Sequence, residues 1–309
     1  MLILGPTGSG KTALSLALGE RFGGEIVSGD SVAVYRGMDL GSAKPSREER
    51  ARLLHHLIDV ADPDVPFTAG EYARQARQAM REIAGRGHLP LVTGGTGLYL
   101  RALIMGLFPG PSRQVDLRGR LKHSQERFGA GWLHGMLKRL DTPSAQRIHA
   151  NDEPKLIRAL EVLFATGRPL SATLEAGPDV ARDPLTGFRL LRIGLNPPRQ
   201  ALYARLNERA AGMFAAGLVD ETRGLLERFG RVKALDALGY RQAVAEVDGA
   251  LTREQAIAGA QQGHRNFAKR QLTWFRREPE VHWIEDFGDS AATLNVATGW
   301  MEEHVIEGL

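Results

Sequence analysis

Apolar residues fill positions 1–4 and stop abruptly at Gly5, and over 11–22 they recur at Leu14, Leu16, Leu18 and Phe22, as on a helix with one buried face. The pattern predicts a strand, a loop and a helix in that order. Residues 25–28 read as a second short strand ending just before Asp30, and 89–93 as another ending at Gly94-Gly95, with a helical stretch over 69–84 between them. Strands alternating with helices predict an α/β fold with a parallel sheet, in which ligands sit beyond the carboxyl ends of the strands. The loop at 5–12, Asp30 and Thr96 all fall at such ends.

Beyond Pro109 the strand signals vanish. The chain becomes charged helix interrupted by Pro111, Pro143, Pro154, Pro169 and Pro178, which predicts an inserted helical subdomain over 111–186 within a core made of 1–110 and 187–309. A strand-like run at 188–195 resumes the sheet, helices continue to about Arg277, and 281–284 carries only a weak signal. The first strand has four residues before its loop, shorter than the usual five or six. Either the natural chain starts upstream of Met1 or the strand is simply short.

Composition narrows the chemistry. The 309 residues are 43% hydrophobic and 25% charged, enough to build a real core. The absence of cysteine excludes disulfides, thiolate metal sites and cysteine nucleophiles, and points to a reducing cytoplasm. No segment reaches the roughly 18 uninterrupted apolar residues of a membrane span, and the N-terminus lacks a charged leader region, so a soluble cytoplasmic protein without membrane partners is expected. A monomer is expected too. The net charge is only +4, but 40 Lys and Arg leave room for a basic face that could meet nucleic acid.

The strongest motif is Gly5-Pro6-Thr7-Gly8-Ser9-Gly10-Lys11-Thr12, a complete phosphate-binding loop. Its glycines let successive N–H groups curl inward toward phosphate oxygens, and the helix that follows adds the positive end of its dipole. Lys11 supplies a mobile charge and Thr12 a hydroxyl for Mg²⁺, the expected cofactor. The fold expected is therefore a sheet of the P-loop NTPase type. An apolar strand ending in a second magnesium-binding aspartate is missing: Leu89-Pro90-Leu91-Val92 runs into Thr93-Gly94-Gly95-Thr96. That argues mildly against an ATP motor. A small-molecule phosphotransferase and an RNA-binding GTPase-like switch remain open on the loop alone, although the switch would need a guanine-reading N-K-x-D motif that the chain lacks.

Further segments follow in a fixed order: Asp30-Ser31, Tyr35-Arg36-Gly37-Met38-Asp39-Leu40-Gly41-Ser42-Ala43-Lys44-Pro45, Gly94-Gly95-Thr96-Gly97-Leu98-Tyr99 and Leu238-Gly239-Tyr240-Arg241-Gln242. Together with His55-His56-Leu57-Ile58-Asp59, Asn151-Asp152, Arg158-Ala159-Leu160-Glu161-Val162 and Lys269-Arg270-Gln271-Leu272-Thr273-Trp274-Phe275-Arg276, the chain closely resembles the bacterial tRNA dimethylallyltransferases, or tRNA isopentenyltransferases. The resemblance covers most of the chain. It implies transfer of a dimethylallyl group from dimethylallyl diphosphate to N6 of the adenosine just 3′ of the anticodon, position 37. On that reading the nucleotide-binding type of loop holds a diphosphate leaving group rather than ATP. Ala33 stands where the family often has a longer residue, and Ser42 replaces the more usual threonine. With no cysteine there can be no C-terminal zinc finger of the kind common in eukaryotic relatives.

Asp30 fits a general base for the weakly nucleophilic N6 amine, and the resemblance gives it that role. Arg241 is the arginine expected at the departing diphosphate. Thr96 resembles the family's threonine near the reacting adenosine, although capping the following helix is an alternative use of its hydroxyl. The resemblance places tRNA contacts at Asp30, Ser31, Val32, Ala33 and Thr96, at Pro154, Lys155, Leu156, Ile157 and Arg158, at Gly239, Tyr240 and Arg241, and at Arg265, Lys269, Arg270 and Arg276. Over 264–277 the residues Arg265, Lys269, Thr273, Arg276 and Arg277 fall in a sector of roughly 140°, with Phe267 and Trp274 opposite. Such a basic stripe suits phosphate contacts. The insertion is expected to close over the anticodon stem-loop, whose unpaired target base can be turned out at low cost. His55 and His56 are adjacent rather than one helical turn apart, so a shared zinc face is not expected and a structural or substrate-supporting role is.

Overall fold

The computed structural model describes residues 1–107, 110–111, 113–175 and 183–306. The chain separates into two compact units, one made of Met1–Ile104 and Leu185–Leu309 and the other of Met105–Pro184.

Six parallel strands organise the first unit: β1 (Leu2–Leu4), β2 (Gly24–Ser28), β3 (His55–His56), β4 (Leu89–Gly94), β5 (Arg192–Leu195) and β6 (Val281–Ile284), in the order β3-β2-β4-β1-β5-β6. The short β1 lies between β4 and β5, with Leu2 opposite both Val92 and Arg192. Its run is apolar throughout because both faces of the sheet are covered. Leu2 and Leu4 turn toward Tyr72, Met80 and Ile83 of the Ala69–Gly85 helix and Leu100 and Leu103 of the Gly97–Met105 helix. Ile3 turns the other way, toward Leu14 and Leu18 of the Lys11–Phe22 helix and Ala297 and Met301 of the Ala291–Ile306 helix. Each such side chain contributes on the order of 1.5–3 kcal/mol by leaving water, so three residues anchor the centre of the sheet.

The strand expected over 188–195 begins only at Arg192. Its ladder with β1 starts at Leu2↔Arg192 and that with β6 at Arg192↔Val281, so the preceding residues lie off the end of both neighbours. Phe188 packs as apolar filling against the core instead. The weakly marked 281–284 run is a full edge strand.

After β5, the helices Arg199–Ala215, Leu218–Phe229, Tyr240–Val247 and Arg253–Phe275 enclose a third apolar cluster around Met38, Phe214, Leu218, Leu225 and Tyr240. Tyr240 is fully buried, donating from its hydroxyl to Glu221 Oε1 at 2.6 Å and accepting from Gly41 N at 3.2 Å. Its ring is therefore a core pin that holds the Met38 loop, not a surface that RNA can touch.

In the Met105–Pro184 unit the helices Val115–Phe128, Trp132–Leu140, Thr142–Arg147 and Glu153–Thr166 surround Leu121, Leu133, Leu137, Leu156, Ile157 and Leu160. Pro143 and Pro154 begin helices rather than break them, each in a first turn capped by an aspartate, Asp141 and Asp152. Pro109 and Pro178 lie outside the described residues. Glu161 is completely buried and accepts from Arg118 at 2.7 Å, Arg158 at 2.6 Å and the Gln114 N–H at 2.8 Å. Burial alone would raise its pKa, but the hydrogen bonds from Arg118 and Arg158 outweigh it and hold the carboxyl at about 2.

Candidate active site

The carboxyl ends of β1, β2 and β4 open onto a cleft of about 320 Å³. Thr7, Gly8, Gly10, Lys11 and Thr12 line one side, Asp30 and Ala33 project from beyond β2, and Thr93, Gly94 and Gly95 come from β4. Gly5, Pro6 and Ser9 form the back of the loop, where Ser9 is fully buried. Gly10 adopts φ +87°, and a Cβ there would lie 2.7 Å from the Gly288 nitrogen. That close approach is used, because Gly288 N donates to Ser9 O at 2.8 Å and braces the loop from behind.

Lys11 folds back to donate from Nζ to Gly5 O at 3.0 Å and Pro6 O at 2.8 Å. Burial pushes its pKa down to about 7; the charge of Arg209 adds to the fall and that of Asp30 opposes it. The loop thus brings to the cleft a lysine whose charged form an arriving anion would favour. Thr12 offers an oxygen ligand at the helix start, and no cluster of three or more His, Asp or Glu that could cage a metal occurs among the described residues. A Mg²⁺ held by one hydroxyl and by substrate phosphate oxygens fits this donor set.

Asp30 Oδ1 accepts from Val32 N at 2.7 Å and Ala33 N at 3.2 Å, which fixes the carboxylate and leaves Oδ2 without a partner among the described residues. Thr96 accepts from Ser31 N at 3.0 Å and donates to Ser31 Oγ at 3.2 Å, so its hydroxyl ties the β2 and β4 tips together. Thr96, Ser31 and Val32 border the cleft without lining it.

The arginine chosen from the sequence is elsewhere. Arg241 is exposed at the start of the Tyr240–Val247 helix beside Gly239 and does not line the cleft. Arg205 and Arg209, four residues apart on the Arg199–Ala215 helix, do. Arg205 is paired with Asp289 at 2.8 Å and lies over the Phe287 ring. Arg209 has no ion pair or hydrogen bond among the described residues; burial lowers its pKa and the nearby Asp30 raises it. It is a cation held in the cleft with Asp30 as its neighbouring charge and no direct ion pair among the described residues. Sequence reasoning also passed over Gln271, which is buried, lines the cleft and bonds to two of its loops. The spacing Arg205-Arg209 after β5 was the available signal for the arginines. Gln271 falls inside the Lys269-to-Arg276 segment that carries the family resemblance, but nothing in that segment sets it apart from its neighbours.

The paired histidines divide on the two faces of β3. His56 bonds Glu25 at 2.7 Å, a structural contact, whereas His55 lines the cleft, bonds Leu53 O at 2.8 Å through Nδ1, and has its pKa lowered by burial.

Of the expected RNA contacts, Leu156 and Ile157 are core residues of their unit, because the helix that carries them turns this face inward. Arg158 is taken up by Glu161 and Pro111 O, and Lys155 is exposed and paired with Asp152. Pro154 occupies the first turn of its helix. Arg265 bonds Asn207 and Gln262. Lys269, Arg270 and Arg276 are exposed with no ion pair among the described residues. Trp274 does not lie wholly opposite them: half-buried under Arg101, it shares an open depression with Lys269, Arg270, Thr273 and Arg277. The inward face of that helix is instead Ala256, Ala260, Gly263, His264, Ala268, Gln271 and Phe275.

The IPP transferase family model matches residues 33–278, and an isopentenyl transferase model matches 1–59. A tRNA dimethylallyltransferase of Koribacter versatilis is 60% identical over 297 residues, covering 96% of this chain and 95% of that protein, and one of Solibacter usitatus is 51% identical over 93% of each. The crystal structure of a tRNA isopentenylpyrophosphate transferase from Bacillus halodurans matches with TM-score 0.71 and 36% identity, covering 100% of this chain and 98% of that one. A eukaryotic dimethylallyltransferase acting on tRNA matches in fold, with TM-score 0.80 at 23% identity over 99% of this chain and 79% of that one. The chain belongs to the IPP transferase family, that of the bacterial tRNA dimethylallyltransferases.

Proposed function

We propose that this chain transfers a dimethylallyl group from dimethylallyl diphosphate to N6 of adenosine 37 of tRNA, releasing diphosphate. One observation carries the reading: the phosphate loop and the anchored carboxylate of Asp30 open onto the same cleft. The loop N–H groups, Lys11 and Arg209 surround the diphosphate and take up the negative charge that grows on it as the carbon–oxygen bond breaks. Mg²⁺ held at Thr12 would supply further charge neutralisation on the leaving oxygens. The lone pair of N6 attacks the allylic carbon, the bonding pair leaves with diphosphate, and the proton, made acidic by the positive charge arriving on N6, passes to Asp30 Oδ2. Holding the two partners across one cleft removes most of the entropic cost of bringing them together.

The outer face of the Arg253–Phe275 helix, with Lys269 and Arg270, and Arg276 just past its end supply cations without an ion pair among the described residues for the tRNA backbone. The target base lies in a single-stranded loop and can be turned into the cleft. No described helix is long and apolar enough to cross a membrane. Incubation with unmodified tRNA, Mg²⁺ and dimethylallyl diphosphate, followed by nucleoside mass analysis, tests the assignment. One dimethylallyl group on adenosine is expected; unmodified adenosine accompanied by ATP hydrolysis would refute it.

A further inference from the structure

Gln271 lines the cleft with an amide whose two ends are both bound to protein backbone. It lies in the last turns of the Arg253–Phe275 helix, 264 residues from Thr7, with only 6% of its surface exposed. Both ends of its amide are used on different loops: Oε1 accepts from Thr7 N at 2.8 Å in the phosphate loop, and Nε2 donates to Gly95 O at 2.8 Å at the tip of β4. Gly95 is shaped for this contact, since a Cβ there would come within 2.3 Å of Nε2. The β1–β4 ladder carries the two loops as far as Leu4↔Gly94, and beyond that end the Gln271 amide is the hydrogen-bonded link between them among the described residues, whereas the β4 and β2 tips are tied directly through Gly29 N to Thr93 O at 2.7 Å, Thr96 N to Gly29 O at 3.2 Å and Thr96 to Ser31. The β2 and β4 tips carrying Asp30 and Thr96 are therefore one braced block. The phosphate loop is the other, and past the end of the β1–β4 ladder the Gln271 side-chain amide spans them.

We propose that Gln271 is a positioning residue that sets the separation between the diphosphate cradle and the Asp30–Thr96 block. The proposal rests on the transfer reaction set out above, in which the allyl donor is held by the first block and the adenosine by the second. Both hydrogen bonds are made to backbone atoms, so the amide fixes where the loops stand without touching the transferred group. Its own helix carries Lys269 and Arg270 on the opposite, exposed side. The element offered to the RNA backbone is thus the one that holds the two reacting halves in register. A displacement of about 1 Å between reacting atoms costs up to about 100-fold in rate, while the binding of each partner to its own block is left nearly intact.

The test is a split between binding and turnover in Gln271→Met, which keeps the length and volume of the side chain and loses both hydrogen bonds. Affinity for inorganic diphosphate with Mg²⁺, measured by calorimetry, and KM for tRNA should change by less than about threefold, while kcat per folded molecule falls about 10- to 100-fold. Gly95→Ala, which drives a methyl against the same amide with Gln271 present, should give the same split and serves if the first variant does not fold. A wild-type rate with Gln271→Met, or a loss of diphosphate affinity that matches the loss of kcat, overturns the positioning role. Absence of transfer by the wild-type protein would instead overturn the proposed reaction, so the two failures are told apart.

Discussion

Two residues in the cleft carry separate and measurable loads. Asp30 is anchored through one oxygen to the Val32 and Ala33 N–H groups, so replacing it removes a base whose position was already fixed. Asp30→Ala is expected to lower kcat by about 10²- to 10⁴-fold with tRNA affinity changed only a few-fold, as read by single-turnover kinetics beside a binding assay. Normal turnover with a large loss of affinity would contradict the base role. Lys11 makes a prediction in protons. In the free protein burial holds its pKa at about 7, against 10.5 for an ordinary lysine, so between those values the folded protein binds fewer protons than the unfolded one. The burial cost to stability is therefore full below pH 7 and fades as pH rises through that window. A bound diphosphate favours the ammonium, so binding at pH 8 should take up about one proton at this lysine, and the measured heat should depend on the ionisation enthalpy of the buffer. A heat at pH 8 that is the same in every buffer would show that Lys11 is already charged in the free site.

At the scale of elements, the Arg253–Phe275 helix has two faces with different duties. Its buried side is made of small residues with His264, Phe275 and the Gln271 clamp, and its outer side presents Lys269 and Arg270, with Arg276 following. Changing all three cations to alanine should weaken tRNA binding, reduce the slope of log affinity against log salt by roughly two to three units, and leave diphosphate binding unaltered. An unchanged salt slope would move the RNA contact to another surface. This helix also shows what could be read in advance. β1, β2 and β4 were legible because each apolar run ends at a glycine or aspartate with a defined duty, and the phosphate loop because its chemistry is contiguous. β3, two residues long, was too brief to carry a periodic signal, and the start of β5 is set by where its neighbours begin rather than by its own sequence. Arg209 and Gln271 reach the cleft only because helices distant in sequence pack beside it. Arg241 stands out in the sequence only through its Gly-Tyr-Arg-Gln motif, and its neighbour Tyr240 belongs to that motif for a structural reason, as the pin of the Met38 loop.

Across the whole chain, stability is drawn from different physics in the two units. The first unit has a sheet covered on both faces, with large clusters that include Tyr72, Phe275, Leu14 and Ile26, and its fold depends chiefly on apolar burial. The helical unit has a smaller apolar cluster and a fully buried carboxylate, Glu161, that gathers Arg118, Arg158 and the Gln114 N–H. Such a hub is costly to break, because removing the carboxylate charge leaves two guanidinium groups partly desolvated with no counter-charge. Glu161→Gln should therefore destabilise this unit by about 2–4 kcal/mol, with hydrogen exchange accelerated across residues 113–175 and little changed in the strands of the sheet. The pH dependence follows from the same group. With its folded pKa held at about 2, below the ordinary 4.5, Glu161 contributes stability that is complete above pH 4.5 and is lost as pH falls toward 2. Acid should thus loosen the helical unit of the wild-type protein more than that of Glu161→Gln, which has no carboxylate to protonate. If exchange in the two proteins responds identically between pH 6 and pH 3, the stability of this unit does not run through Glu161.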